Sequence, residues 1–230
     1  MEIVLNNKYN ESATDINLIE GMITTLQSND IKTVVTNLKK NYNFTVIDNY
    51  NPFFLGVTVK EELDIYTKEY SEEMLAVLLE IFELESNFTS RYISTLSYTE
   101  KIYLNIFRNL LINNNKVIFV DVFKYLDHKN RKRMILLLNY LKEKMYYIII
   151  TSYNVDDLYS LGDNSLVWYK GIADYGDTLE VYKDVEVFNK NRIPAPMLAE
   201  ITYKAKKDKN VKLFYSRDVR DIIKDIYKHV

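Results

Sequence analysis

The chain contains no cysteine, so disulfides and thiolate metal sites are excluded from its chemistry. Glycine is scarce: of 230 residues only Gly21, Gly56, Gly162, Gly171 and Gly176 are glycine, and no two stand close enough to build a glycine-rich phosphate loop. Such loops need glycine because their backbone adopts positive φ and must approach the anion closely. Long apolar runs are missing too. The longest, near Met134–Leu138 and Tyr146–Ile150, fall far short of the roughly 20 residues that span a bilayer. The start, Met1-Glu2-Ile3-Val4-Leu5, lacks the basic and apolar regions of a signal peptide, so a cytoplasmic chain is expected. A net charge of −2 gives no reason to expect nucleic acid or direct membrane insertion.

What is present is the composition of a globular protein, 47% apolar and 27% charged, in a chain long enough to bury a sizeable core. Glu2–Leu5 and Met22–Leu26 read as short strands separated by the polar stretch Asn6–Asp15. Gln27-Ser28-Asn29-Asp30 then forms a turn or cap cluster before a helix whose apolar face is Ile31, Val34, Val35 and Leu38. Strand, polar turn and a helix opening at Lys32-Thr33 have the layout of a phosphate-binding loop. Leu26 and Ile31, however, stand where that pattern needs glycine. Phe44–Ile47 reads as a strand, Asn51–Gly56 as a turn, and Thr58 with Glu61 as a capping box opening a helix. A further helix is expected from Ser71 to about Leu84.

The most informative stretch runs from Leu96 to Gly171. From Ser97 to about Ile112 the rows Ile102, Ile106, Leu110 and Tyr103, Phe107, Leu111 make a wide helical stripe, stopped by Asn113-Asn114-Asn115. Val117–Val120 is a continuous apolar run, as expected of a strand buried on both faces in a parallel sheet, with Asp121 at its C-terminal end. A crossover helix, Arg131–Leu141, and a second buried strand, Tyr147–Ile150, complete a βαβ unit. Asp156-Asp157-Leu158 starts a short helix, and Leu166–Tyr169 and Ile172–Tyr175 flank Gly171 as a hairpin. Pro194 and Pro196 mark a boundary before a helix over Met197–Lys206. A last helix, capped by Ser216, is expected to bury Val219, Ile222, Ile223, Ile226 and Tyr227.

Leu96-Ser97-Tyr98-Thr99-Glu100, Val117–Asp121, Leu126-Asp127 and Ile148–Tyr153 follow one another as the signature motif, Walker B strand, D-loop and switch loop of an ATP-binding-cassette ATPase do, and the chain resembles that family. Thr58-Val59-Lys60-Glu61-Glu62-Leu63 is similar to the stretch after the Q-loop in energy-coupling-factor importer ATPases. The resemblance implies a P-loop-NTPase-like, mainly parallel α/β sheet flanked by helices, with a reduced antiparallel N-terminal subdomain. It divides the chain into an ATPase domain over residues 1–190, with a helical subdomain at about 58–96, and a helical appendage over 191–230. It implies ATP and Mg²⁺ as cofactors, with Lys32, Thr33, Ser97, Glu100 and Asp127 placed to contact nucleotide and Asp121 to hold the metal.

The departures are as informative. The Walker A glycines are absent, and no glutamine stands where the Q-loop needs one, Gln27 lying too early. Tyr98 and Thr99 replace both signature glycines. Val122 stands where the family has its catalytic glutamate, and Tyr153 where it has the switch histidine. Valine cannot accept a proton, and general-base catalysis is worth roughly 10²–10⁴-fold. Tyrosine titrates at about pH 10 and cannot replace imidazole. The resemblance therefore implies a degenerate transporter subunit with weak or absent ATP binding and hydrolysis. It would pair with an intact ATPase subunit and a transmembrane component at the inner face of the membrane. A free-standing pseudo-ATPase scaffold or regulator is the alternative, and a working ATPase with a rebuilt site the third.

Overall fold

A computed structural model describes residues 1–6, 13–48, 52–67, 70–112, 114–169 and 172–229. Asn51, Asn113, Gly171 and most of the polar stretch Asn6–Asp15 lie outside the described residues. The strands are β1 (Glu2–Asn6), β2 (Ala13–Asn17), β3 (Ile23–Ser28), β4 (Thr45–Asp48), β5 (Lys116–Val120), β6 (Tyr147–Thr151), β7 (Asn164–Tyr169) and β8 (Ile172–Asp177). The helices are α1 (Ile31–Tyr42), α2 (Val59–Tyr66), α3 (Glu72–Ile81), α4 (Tyr98–Leu110), α5 (His128–Glu143), α6 (Val155–Leu161), α7 (Thr178–Val181), α8 (Val185–Lys190), α9 (Met197–Lys209) and α10 (Val219–His229). β1 and β2 pair antiparallel, and the other strands are ordered β4-β5-β6-β3-β7-β8. This is the mainly parallel sheet flanked by helices, with a small antiparallel sheet, that the motifs imply.

The chain divides into two compact units. One comprises Met1–Leu18, Met22–Val34 and Ile149–Val230; the other comprises Ile19–Gly21 and Val35–Ile148. In the first, β3 runs parallel to β7, and β7 pairs antiparallel with β8 as the predicted hairpin. Its core gathers Tyr159, Val167, Tyr182, Val185, Phe188, Ile193 and Ala199. Tyr182 stacks on Phe188 and meets Tyr159 edge-on. α7 and α8, unmarked in the sequence, are single short turns capped by Asp177 and Asp184.

In the second unit β4 runs parallel to β5, as the apolar run Val117–Phe119 requires, and all three of those residues are buried. α4 buries the predicted double row, and its Tyr103 and Phe107 pack with Phe82 and Phe88. Thr58 caps α2 through the expected reciprocal pair with Glu61, and Ser71 caps α3. On α5, Met134, Leu137, Leu138 and Leu141 are buried.

The last helix departs from expectation. α10 begins at Val219, and Asp218 rather than Ser216 caps it: its carboxylate accepts from the Arg220 N–H at 2.8 Å, and its carbonyl from the Asp221 N–H at 3.1 Å. Of the five residues expected inside, only Ile222 is buried (2% exposed). Val219 (47%), Ile223 (45%), Ile226 (37%) and Tyr227 (77%) are exposed. The helix turns one edge to the unit, where Asp225 is buried and accepts from the Phe214 N–H at 2.9 Å.

Candidate functional site

The residues singled out from the sequence are spread over both units. Lys32, Thr33 and Tyr153 belong to the first; Ser97, Glu100, Asp121, Val122 and Asp127 belong to the second.

In the first unit β3 ends at Ser28 and α1 begins at Ile31, which leaves two residues, Asn29 and Asp30, between strand and helix. Leu26 is fully buried within β3, so the position a glycine would take in a phosphate loop is part of the sheet core. Asp30 donates its N–H to Ser28 Oγ at 3.0 Å, and its carboxylate accepts the Thr33 N–H at 3.2 Å. Helix N-termini attract anions through unsatisfied N–H groups and the helix dipole. Here the chain supplies the anion itself. Lys32 and Thr33 follow on the exposed first turn. Gln27, which the sequence places too early for a Q-loop, is structural: it donates to the Pro194 carbonyl at 2.7 Å and accepts from the Tyr182 hydroxyl at 2.9 Å. Tyr153 is strongly exposed in the loop before α6.

In the second unit Asp121 directly follows β5 and adopts φ of 50°, a left-handed conformation that aspartate tolerates better than most side chains. Its carbonyl accepts the Lys124 N–H at 3.1 Å and starts the turn toward α5. Val122 and Phe123 are buried in that turn. The two positions after Asp121 are thus packed with hydrocarbon. Asp127 is the N-cap of α5, its carboxylate accepting the Asn130 N–H at 2.8 Å. No group of three or more histidines or carboxylates among the described residues is arranged to hold a metal ion.

Ser97 and Glu100 are brought together in a capping box that opens α4. Ser97 Oγ accepts the Glu100 N–H at 3.2 Å, and Glu100 Oε2 accepts the Ser97 N–H at 2.7 Å. The other carboxylate oxygen pairs with Arg91 at 2.5 Å. Partial burial opposes ionisation, yet the Ser97 hydrogen bonds and the Arg91 guanidinium outweigh it and hold the Glu100 carboxyl below its ordinary range. The Ser-x-x-Glu spacing carries this signal in the sequence, although motif order draws attention elsewhere. Tyr98 meets Tyr125 edge-on with centroids 5.9 Å apart, joining the start of α4 to the turn after Asp121.

One assembly in this unit has no sequence signature. Glu62 and Arg108 are both buried and paired at 2.5 Å. The second Glu62 oxygen accepts the N–H groups of Leu55 and Gly56 at 2.7 and 2.8 Å. Arg108 also donates to the Phe53 carbonyl at 2.7 Å and to Asn105 Oδ1 at 3.0 Å, and it lies over the rings of Phe54 and Tyr66. The segment Pro52–Val57 is thereby tied to α2 and α4, and its Phe53, Leu55 and Val57 side chains are left strongly exposed.

No protein-family model matches the chain. It is 25% identical over 157 residues to the energy-coupling factor transporter ATP-binding protein EcfA2 of Mycoplasma capricolum, a match covering 67% of this chain and 54% of that protein. The chain thus spans about half the length of the curated relative it matches. Among solved structures, the ATP-binding subunit of an ABC transporter matches with a TM-score of 0.64 at 16% identity, over 84% of this chain and 95% of that one. The dimeric structure of MJ0796, a bacterial ABC transporter cassette, matches with a TM-score of 0.58 at 16% identity, over 77% and 99%. The fold is that of ABC-transporter ATPase domains, and the resemblance carried by the motifs holds.

Proposed function

We propose that this chain, built on the ABC-ATPase fold, is a degenerate ATP-binding subunit that works by pairing rather than by hydrolysis. It binds ATP and Mg²⁺ weakly or not at all, and associates with an intact ATPase subunit of a membrane transporter. The observation that carries this reading is the two-residue connection between β3 and α1, closed by Asp30. A loop that wraps a phosphate turns a succession of N–H groups onto it. Two residues cannot supply them, and the Asp30 carboxylate, just before the helix and bonded to the Thr33 N–H, repels an incoming anion. A triphosphate finds a poor cradle in this connection.

Two further features support loss of chemistry in cis. Val122 is buried where a base would need to meet water, and Asp121 is left as the one metal-associated acid. Lys32 and Thr33 are remnants on this view. Ser97, Glu100 and Asp127 would face the nucleotide of the paired subunit, a role that asks for no catalysis from this chain. The exposure of Phe53, Leu55 and Val57 suits a protein whose work is contact, because exposed clustered apolar residues mark interaction surfaces.

Co-expression with an intact cassette subunit and its transmembrane component tests the reading. The expected result is one complex containing all three chains, whose phosphate release is unchanged by Asp121→Asn in this chain. A monomer that joins neither component would point to the scaffold alternative, and phosphate release lost on Asp121→Asn would overturn the reading.

A further inference from the structure

The exposed face of α10 has a shape and a charge border that specify what can cover it. Val219, Ile223 and Ile226 are spaced four and three apart, the alternation by which one helix packs into the side of another. Tyr227 extends that face, while Ile222 and the buried Asp225 hold the helix to its own unit along a different edge. The open border of the face carries Arg220 and Lys224, with Lys228 one turn further on. Each has an aspartate partner within the helix or its cap, Asp218, Asp221 and Asp225, but the three cations are the more exposed members of these pairs. Seen from outside, the apolar face is bordered by positive charge.

We infer that this face docks an amphipathic helix of a different protein, one whose apolar stripe is edged with aspartate or glutamate. A second copy of the chain fits less well. Antiparallel pairing about a two-fold axis sets the Arg220–Lys224 edge against itself, and parallel pairing sets it against the Ile222 edge, which is already packed. A bilayer fits less well still. From Val219 to Lys228 three basic residues face two acidic ones, whereas anionic-lipid recognition takes a cluster of about 4–8 Lys or Arg. This inference does not depend on whether nucleotide binds.

The test uses the whole chain and two synthetic helical peptides that share a leucine stripe, one flanked by glutamate and its twin by lysine. Binding is read by fluorescence anisotropy. The glutamate-edged peptide is expected to bind about tenfold more tightly, the order expected of a few rim ion pairs. The preference should reverse in the combined variant Arg220→Glu with Lys224→Glu. Binding of both peptides should vanish in Ile223→Glu with Ile226→Glu, positions exposed enough to leave the fold intact, as circular dichroism would verify. The inference is overturned by failure of both peptides to bind, by equal binding, or by binding indifferent to these substitutions. A dimer by light scattering that the isoleucine variant dissolves, or stronger binding to anionic vesicles than to either peptide, would also overturn it.

Discussion

Replacing Arg108 with methionine tests the internal scaffold of the second unit. The substitution keeps much of the side-chain volume and removes the cation. Glu62, fully buried, would then keep its two N–H donors but lose the opposite charge it pairs with. Removing one partner of a buried ion pair costs about 3–5 kcal/mol, because the remaining charge is left uncompensated. The Phe53 carbonyl and Asn105 Oδ1 lose a donor as well, which keeps the estimate toward the upper end. At about 2–4 °C per kcal/mol for a chain of this size, the melting temperature should fall by roughly 10–15 °C. Urea denaturation followed by circular dichroism gives the free energy, and amide exchange at Leu55 and Gly56 reports the loosened loop. Combining Arg108→Met with Glu62→Gln removes the stranded charge and should recover about half of the loss, well short of additivity. A single substitution costing under about 1 kcal/mol, the value of an exposed pair, would refute the reasoning. So would strict additivity.

Placing a carboxylate beside Asp121, Val122→Glu, should not produce hydrolysis. The new side chain would be buried without a partner beside Phe123, and the chain should lose more than about 3 kcal/mol by urea denaturation with no phosphate release. Gln27 offers a cleaner hydrogen-bond test: Tyr182→Phe leaves its buried carbonyl oxygen without a donor and should cost about 1–2 kcal/mol by the same measurement. At Glu100 the depressed carboxyl contributes stability that is present above the unfolded glutamate value and lost as pH falls through the folded one. The difference in melting temperature between wild type and Glu100→Gln should therefore be constant above about pH 5 and shrink below about pH 4. A difference that grows on acidification would contradict the assigned cause.

Much of the sheet was legible because the relevant signals are local. Val117–Phe119 and Tyr147–Ile150 are apolar without interruption, which a strand buried on both faces demands. The two rows of α4 and the hairpin around residues 166–175 likewise announce themselves by spacing. β2 did not, since its pairing with β1 is a long-range choice that five half-polar residues do not advertise. α10 shows the opposite failure. Its stripe is real, but periodicity says only that a face is apolar, and of that stripe the unit covers Ile222, with Asp225 buried beside it.

At the candidate site, motif order singled out residues but not their local chemistry. Lys32-Thr33 aligns with a phosphate loop, yet the consequence lies in the length of the connection and in Asp30, which strand and helix bounds reveal. Ser97 and Glu100 read as a signature remnant, and the structure shows them as a helix cap. The Glu62–Arg108 pair joins residues far apart in sequence, and nothing in either neighbourhood foretells it.

Whether the β3–α1 connection can hold a triphosphate decides between a degenerate subunit and a working one. Isothermal titration of the purified chain with Mg-ATP, beside Lys32→Ala and Asp121→Asn, measures this directly. The expected result is no heat beyond dilution, or a weak heat identical in all three proteins. Saturable binding that either substitution abolishes would contradict the account.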